Sequence, residues 1–342
     1  VYADPWKLYS TIIGMLGFVD DNNITNNGEE WETVSDIIIR TQHDAQLWND
    51  LLRATGGALN LDKCFAQVIA FQFGFNGSPV IAPADPNLII KIQDRLYNKE
   101  VIIKPISPYK TYRSLGTEQG TSKNQKQQHE KLMNKAGGHT RKLACSAMSP
   151  KCAWIHYSAV FQSSVGYPLS MCHLSQHQLH DLQKKYVPTL MNKIGLARTH
   201  AHVLVFGPRA YGGIGCNDLR IEQGLDAVQN LMRQLRTPGY GKQLATIFLR
   251  TYQNASGMSL PLLQYPTIRA PHLEGHYYVH IRRFLAKNRA NLEIECIPKA
   301  TYERQGDEYI MDVVCSPSTA KEMEIEHLQY YTDAEIRHLD RW

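Results

Sequence analysis

The stretch Gly17-Phe18-Val19-Asp20-Asp21-Asn22-Asn23 decides how the fold of this chain is interpreted. An apolar run, Thr11 to Val19, leads into the two aspartates, and a turn-rich stretch, Asn22 to Gly28, follows them. This order predicts a β-hairpin with Asp20 and Asp21 at its tip. Two adjacent carboxylates repel each other unless a cation lies beside them, and oxygen ligands of this kind suit Mg²⁺.

The bulk composition is that of a globular protein. Of 342 residues, 43% are hydrophobic and 20% are charged, which argues against a disordered chain. No apolar run reaches the roughly 20 residues needed to span a bilayer, so no membrane partner is expected. The sequence begins with Val1 and shows no signal peptide, and we expect it to be a piece of a longer product. Its seven cysteines include no C-x-x-C pair, which predicts reduced thiols in the cytoplasm or nucleus.

Charge is distributed unevenly along the chain. Residues 1–60 have 3 basic and 9 acidic side chains, and residues 291–342 have 5 basic and 12 acidic ones. The segment between them, 61–290, has 29 basic and 11 acidic side chains, a net charge of +18. So basic a segment beside an acidic, metal-type motif indicates a polyanionic partner such as nucleic acid. The alternative is a solvated basic surface that maintains solubility.

Hydrophobic periodicity predicts a mixed α+β architecture. Apolar residues at helical spacing predict helices over 31–54 and 218–236, with helical signals up to about residue 255. Cys64–Phe73 predicts a strand buried inside a sheet, and 75–87 predicts a loop. Shorter strands are predicted at Leu88–Ile92, Val101–Ile106, Thr111–Leu115, Leu292–Ile297 and Tyr309–Val314. The predicted domains are 1–117, 118–255 and 256–342.

Three motifs occur in the order that reverse transcriptases show. Phe18-Val19-Asp20-Asp21 resembles motif C of their palm, an aromatic residue, a small apolar residue and two aspartates in a hairpin. The stretch Leu51 to Cys64 resembles motif D, in which a glycine-led turn and a lysine lead into a strand. Tyr112-Arg113-Ser114-Leu115-Gly116 resembles motif E, a Leu-Gly hairpin. The chain is therefore similar to the C-terminal part of a retrotransposon reverse transcriptase.

This resemblance implies a fold and a chemistry. The fold would be a partial polymerase palm, a small antiparallel sheet with a packing helix, followed by a mainly α-helical thumb and a mixed C-terminal extension. Asp20 and Asp21 would bind two Mg²⁺ ions, which bridge the primer 3′-hydroxyl and a deoxynucleoside triphosphate. Lys63 would donate a proton to the leaving pyrophosphate or contact a phosphate.

The resemblance also implies how nucleic acid is held. Phe18, Leu115 and Gly116 would form the primer grip. The basic thumb would follow the backbone of an RNA template and DNA primer, or of an RNA–DNA duplex, without reading sequence. The thumb residues expected to do so are Lys123, Lys126, Lys131, Lys135, Arg141 and Lys142.

The sequence departs from these enzymes at one point. They take a further metal-binding aspartate from motif A, well upstream of motif C, whereas only 19 residues precede Asp20 here. Asp4 is followed by proline and is interpreted as a loop residue. We therefore expect the chain to be inactive alone and to need the remainder of a polyprotein upstream. The alternative is a non-catalytic nucleic-acid-binding protein derived from a retroelement.

Two further patterns each have a functional and a structural interpretation. His173, His177 and His180, with Cys172 beside them, have helical spacing and could bind zinc, or they are surface or phosphate-facing histidines. Gly207–Gly215 precedes a helix and could hold a phosphate at the helix N-terminus, or it is a structural turn.

Overall fold

The computed structural model describes residues 2–3, 10–11, 15–18, 21–28, 31–75, 79–83, 85, 87–94, 98–103, 105–114, 116–120, 125–273, 277–297 and 308–315. Within these ranges the fold is mixed α+β, as the sequence predicts at that level. The chain divides into two compact units. The N-terminal unit comprises Val1 and 12–127, and the helical unit comprises 2–11 and 128–342.

The described ranges contain twelve short strands, which form six two-stranded ribbons. The strands are β1 (Tyr2–Ala3), β2 (Ser10–Thr11), β3 (Met15–Phe18), β4 (Asp21–Ile24), β5 (Ala66–Gln67), β6 (Phe71–Phe73), β7 (Pro79–Ile81), β8 (Ile90–Asp94), β9 (Lys99–Ile103), β10 (Pro105–Ile106), β11 (Tyr112–Ser114) and β12 (Thr117–Gln119). Strands β5 and β10 pair in parallel, and the pairs β1–β2, β3–β4, β6–β7, β8–β9 and β11–β12 are antiparallel. Ribbon β1–β2 belongs to the helical unit and the others to the N-terminal unit.

Ten α-helices lie in the described ranges, and all but the first belong mainly to the helical unit. They are α1 (Val34–Ala54), α2 (Lys126–Cys145), α3 (Pro150–Ile155), α4 (Gln162–Leu169), α5 (Gln176–Lys193), α6 (His202–Phe206), α7 (Leu219–Arg236), α8 (Tyr240–Ser256), α9 (Tyr277–Lys287) and α10 (Ile310–Val314). A π-helical turn, His156–Phe161, joins α3 to α4.

The helices predicted over 31–54 and 218–236 are confirmed as α1 and α7. Helix α1 begins at a capping box, in which the Thr33 hydroxyl accepts from the Asp36 N–H and the Asp36 carboxylate accepts from the Thr33 N–H. Gly56 follows its end with φ +84°, a left-handed conformation that glycine adopts without strain.

The buried strand predicted over Cys64–Phe73 is wrong. The segment contains two short strands, β5 and β6. Phe71 and Phe73 are 69% and 81% exposed, because β6 pairs with β7 alone among the described strands and is not enclosed in a larger sheet. The loop predicted over 75–87 contains β7, so that prediction is also wrong in part.

The two C-terminal strand predictions are wrong as well. Leu292–Ile297 forms turns and irregular structure, and Tyr309–Val314 is mostly the helix α10. Ile310, Met311 and Val314 are buried at helical spacing. Both segments pack apolar side chains against a core built mainly of helices, so their apolar patterns reflect burial and not strand pairing.

In the N-terminal unit, α1 packs against β8. The side chain of Gln46 in α1 forms two hydrogen bonds with the backbone of that strand. Its amide nitrogen donates to the Gln93 carbonyl at 3.2 Å, and its amide oxygen accepts from the Gln93 N–H at 2.8 Å. Arg53 and Asp94 form an ion pair at 3.0 Å between the same two elements. The buried core of this unit consists of Ile38, Ile90, Ile92 and Ile103.

The helical unit contains two hydrophobic cores. One involves α2 to α6 and the start of α7, and within it the rings of Phe161 and Tyr186 stack with their centroids 3.9 Å apart. The other joins α7 to α10, and it includes Leu249 before residue 256 and Leu262 after it. The domain boundary predicted at residue 256 therefore falls within a single hydrophobic core. The boundary predicted at 117 falls on the first residue of β12.

Candidate nucleic-acid interface

The predicted hairpin is confirmed as the antiparallel pair of β3 and β4, but the prediction that both aspartates lie at its tip is wrong for Asp21, which is the first residue of β4. Strands β3 and β4 pair antiparallel, with Phe18 opposite Asp21. This register leaves only Val19 and Asp20 between the two strands, and both lie outside the described residues. Asp21 begins β4 directly after them. Asp21 is thus held in the strand ladder, which constrains its direction better than a free loop does, and Asp20 directly precedes it in the chain.

Lys63 is the last residue of a short 3₁₀ turn, Leu61–Lys63, that precedes β5. Its side chain is exposed, and within the described residues it has no hydrogen bond or ion pair. An exposed lysine can bind an anion, which is the kind of group that the resemblance assigns to it.

The Leu-Gly segment also lies at a hairpin end. Strands β11 and β12 pair with Ser114 opposite Thr117, and the Thr117 hydroxyl donates to the Ser114 carbonyl at 2.9 Å. Gly116 has φ +84°, a value that tight two-residue turns require and that glycine supplies at little cost. Leu115 lies outside the described residues.

Helix α2 presents lysines along one side. Lys131, Lys135 and Lys142 fall within about 40° of one another around the helix axis at 3.6 residues per turn. We call these three residues the lysine stripe. Of the other predicted thumb residues, Lys126 and Arg141 are exposed elsewhere on α2, and Lys123 lies outside the described residues. The buried side of the helix is formed by Gln128, Leu132, Ala136 and Leu143.

Two histidines lie close to charged residues of the lysine stripe. Burial, His156, Lys142 and Lys135 lower the pKa of His139. Burial and Lys142 lower the pKa of His156, whose ring centroid lies 5.4 Å from that of His139. Nearby positive charge disfavours protonation, so the lesser contribution of Lys142 to both shifts shows that its charge lies near both histidines. Positive charge attracts phosphate groups.

Sequence reasoning missed two exposed lysines of α5, Lys184 and Lys185. The Thr140 hydroxyl of α2 donates to the Lys185 carbonyl at 2.9 Å, which places α5 against α2 at this position. Thr140 lies roughly 140 to 180° around the helix axis from the lysine stripe, so these two lysines form a separate basic surface. The adjacent basic pair within a helical pattern is the signal that could have found them.

The histidines that could bind zinc, and the cysteine beside them, have separate contacts. His173 stacks on His280 with ring centroids 4.4 Å apart, while His180 stacks on a histidine of α6 at 6.0 Å. His177 is exposed. The Cys172 thiol is buried, and burial raises its pKa to about 12. Across the described ranges, no group of three or more His, Cys, Asp or Glu side chains is placed to hold a metal ion.

The glycine-rich segment Gly207–Gly215 forms a structural turn. A Cβ atom on Gly213 would lie 2.1 Å from the Gly207 carbonyl oxygen, so only glycine fits there. The N–H groups of residues 213 to 216 donate to nearby carbonyl oxygens at 2.7 to 3.1 Å. Because these donors are satisfied within the protein, the segment lacks the open N–H groups that a phosphate cradle needs.

Comparisons with protein-family models, curated proteins and solved structures found no match for this chain. Among the helices that the structure describes, none is long and apolar enough to cross a membrane. Two candidate surfaces follow from the residues of this chain: the aspartate hairpin with Lys63 in the N-terminal unit, and the lysine stripe in the helical unit.

Proposed function

We propose that this chain is the palm and thumb part of a retroelement reverse transcriptase, and that it serves RNA-directed DNA synthesis. The observation that carries the proposal is the pairing of Phe18 with Asp21, which leaves only Val19 and Asp20 between two antiparallel strands. Adjacent aspartates at the end of a hairpin form an oxygen donor set that fits Mg²⁺. The order of a helix, a lysine turn, a Leu-Gly hairpin and a basic helix after this hairpin supports the same proposal.

Each part has a role in the proposed reaction. Asp20 and Asp21 would hold Mg²⁺, which would supply positive charge beside the transferring phosphoryl group. Lys63 donates a proton to the leaving pyrophosphate. The β11–β12 hairpin supports the primer end through Gly116. The lysine stripe contacts phosphates of the RNA–DNA duplex, which positions the duplex without reading its sequence.

The metal-binding part is tested by calorimetric titration of Mg²⁺ into the chain. We expect the D20N/D21N variant to lose the strongest binding, because both carboxylate charges are removed. The control is D62N/D85N, which makes the same charge change at two exposed aspartates of the same unit. Equal Mg²⁺ affinity in the wild type and in D20N/D21N would contradict the proposal.

The nucleic-acid part is tested by the salt dependence of duplex binding. We expect K131Q/K135Q/K142Q to weaken RNA–DNA duplex binding and to reduce the slope of log K against log salt, by about 0.7 to 0.9 for each phosphate that the variant no longer neutralises. The control is K91Q/K99Q/K110Q, which removes three exposed lysines of the N-terminal unit. An unchanged slope in the stripe variant would show that α2 does not hold the duplex.

A second candidate function is non-catalytic binding of nucleic acid by a protein derived from a retroelement. It is favoured by the lysine stripe, whose attraction for phosphate needs no metal ion. The D20N/D21N variant separates the two functions. Loss of DNA synthesis, measured in a longer protein that also has a motif-A aspartate, supports the enzyme. Unchanged or slightly raised duplex affinity of the variant, with no synthesis in either protein, supports the binding function.

A further inference from the structure

Two adjoining cavities lie along α7 in the helical unit. They enclose about 370 and 540 Å³, and Glu222, Asp226 and Gln229 line both. Helix α4 and the π-helical turn form the opposite wall of the larger cavity. Its volume is in the range of sites for small molecules. A π-helical turn within a helix often marks a functional site.

The two carboxylates are concentrated in a region that is otherwise basic. Residues 128–273 contain 16 basic and 5 acidic side chains, and Glu222 and Asp226 are two of those five. They stand one helical turn apart, a spacing at which like charges repel. Burial, followed by the Asp226 charge, raises the pKa of Glu222, and burial raises the pKa of Asp226. This arrangement becomes favourable when a ligand supplies hydrogen-bond donors.

The two carboxylates differ in their partners. The Tyr157 hydroxyl accepts from the Asn217 N–H at 2.9 Å, and the Asn217 side-chain amide donates to the Gln162 side-chain oxygen at 2.7 Å. The Asn217 side chain also donates to Glu222, which lowers the pKa of Glu222 against the effect of burial. Glu222 is thereby held in place. Asp226, in contrast, has no hydrogen-bond donor among the described residues.

We propose that the larger cavity binds a guanine base through Asp226. The N1–H and N2–H groups of guanine are adjacent, coplanar donors, and they match the two oxygens of one carboxylate. Adenine, cytosine and uracil do not present two adjacent N–H donors from ring and amino groups on one edge. The proposal concerns a site distinct from the lysine stripe, none of whose residues lines the cavity.

The rest of the cavity wall suits a nucleoside. Tyr167 lies at the rim and is 57% exposed, which provides an aromatic ring on which a base can stack. The hydroxyls of Ser158 and Ser170 donate to carbonyls of their own helices, so their oxygens remain able to accept from ribose hydroxyls. Arg233 lines the same cavity and can attract a phosphate group.

The charge of the surroundings distinguishes guanine from a cationic ligand. A polyamine or an arginine-containing peptide would also satisfy carboxylates. Such ligands are repelled, however, by the excess of basic side chains in residues 128–273, which attracts nucleotides instead. Guanine carries its paired donors without a positive charge.

The test is calorimetric titration of the full chain with GMP, AMP, CMP and UMP. We expect GMP to bind at least about tenfold more tightly than the others, the discrimination typical of a bidentate base contact. The D226N variant keeps the size of the side chain and removes one acceptor, and it should weaken GMP binding by a similar factor. The control is E130Q, which makes the same charge change at an exposed residue of α2 and should leave GMP binding unaltered.

A second variant keeps the test decisive if D226N disturbs folding. Y167L should weaken GMP binding by removing the stacking surface while it leaves the carboxylates intact. Four results would overturn the proposal: no binding of GMP, equal binding of the four nucleotides, GMP binding unchanged in D226N, or spermidine binding more tightly than GMP in a manner that requires Asp226.

The source of the base is resolved by comparing GMP with two short single-stranded RNAs, one of adenosines only and one with a single guanosine among adenosines. Tighter binding of the guanosine-containing RNA than of GMP, lost in D226N, assigns the cavity to single-stranded RNA. Equal affinity of the two RNAs, with GMP binding intact, assigns it to a free nucleotide. Because the probes are single nucleotides and single strands, failure of duplex binding at the lysine stripe leaves this test unaffected.

Discussion

The N-terminal unit and the helical unit are stabilised in different ways. In the N-terminal unit four isoleucines form the buried core, and the strands form ribbons of only two. In the helical unit two cores each contain 18 described buried residues. Isolated two-stranded ribbons are marginally stable in water, so the first unit depends on local contacts such as the Gln46 amide on β8. The second is stabilised by burial of apolar surface.

The same residue type should therefore contribute very differently to the free energy of unfolding in the two units. Phe161 is 1% exposed and stacks on Tyr186, whereas Phe73 is 81% exposed on β6. We expect F161A to lower the free energy of unfolding of the helical unit by about 3–5 kcal/mol, because it removes a buried ring and leaves a cavity. We expect F73A to change stability by less than about 0.5 kcal/mol. Urea unfolding followed by circular dichroism measures both.

Similar losses of stability in F161A and F73A would contradict this difference between the two units. A large cost for F73A would mean that another part of the protein or a partner covers the ribbon in solution. A small cost for F161A would mean that the stacked ring contributes little and that the helical core is less closely packed than the 3.9 Å centroid distance indicates.

Acid should destabilise the helical unit through a half-buried, stacked pair of histidines. Burial and the His280 charge lower the pKa of His173 to about 4, and burial and Arg283 lower the pKa of His280. Tyr277 packs edge-on against His173. The unfolded chain binds a proton near pH 6.5, so stability is complete above that pH and is lost as pH falls toward 4. For His173 alone, the loss between pH 7 and pH 5 is about 2 kcal/mol.

The variant H173Q tests this directly, because it removes the titrating group. Urea unfolding at pH 7 and pH 5 should show a smaller difference in H173Q than in the wild type. H177Q serves as the control, since His177 is exposed and lies outside this stacked pair. An identical pH dependence in the wild type and H173Q would refute the assignment.

The smallest expected difference in stability between the two units concerns the helix caps. Each cap should contribute a similar free energy of unfolding. Ser175 caps α5 by accepting from the Gln178 N–H at 3.3 Å, and Thr33 caps α1 in the same way. We expect S175A to cost about 1 kcal/mol and T33A to cost a similar amount, because a cap serves its own helix. S175D retains a capping oxygen and should restore most of the stability. Thermal unfolding of each variant provides the measurement.

Sequence reasoning succeeded where the determinants are local. The capping box and Gly56 delimit α1, and helical periodicity located α7. The hairpin around the aspartates followed from an apolar run and a turn-rich stretch, and it agrees with the pairing of β3 and β4.

Sequence reasoning failed where contacts with distant parts of the chain determine the local structure. An apolar run such as Cys64–Phe73 fits a buried strand, but whether a sheet encloses it depends on distant segments. Tyr309–Val314 has residues compatible with strand or helix, and its position in a core built mainly of helices determined the outcome. The cavity along α7 was missed for the same reason. Asp226 and Tyr167 are 59 residues apart, and only packing brings them to one wall.

Lysine footprinting tests most directly whether the helical unit holds nucleic acid at the lysine stripe. The chain is acetylated with and without an RNA–DNA duplex, and each lysine is quantified by mass spectrometry. Lys131, Lys135 and Lys142 should lose reactivity when the duplex is present, while the exposed Lys91, Lys99 and Lys110 of the N-terminal unit keep theirs. Equal reactivity of the stripe with and without duplex, at a concentration that saturates binding, would contradict the proposed interface.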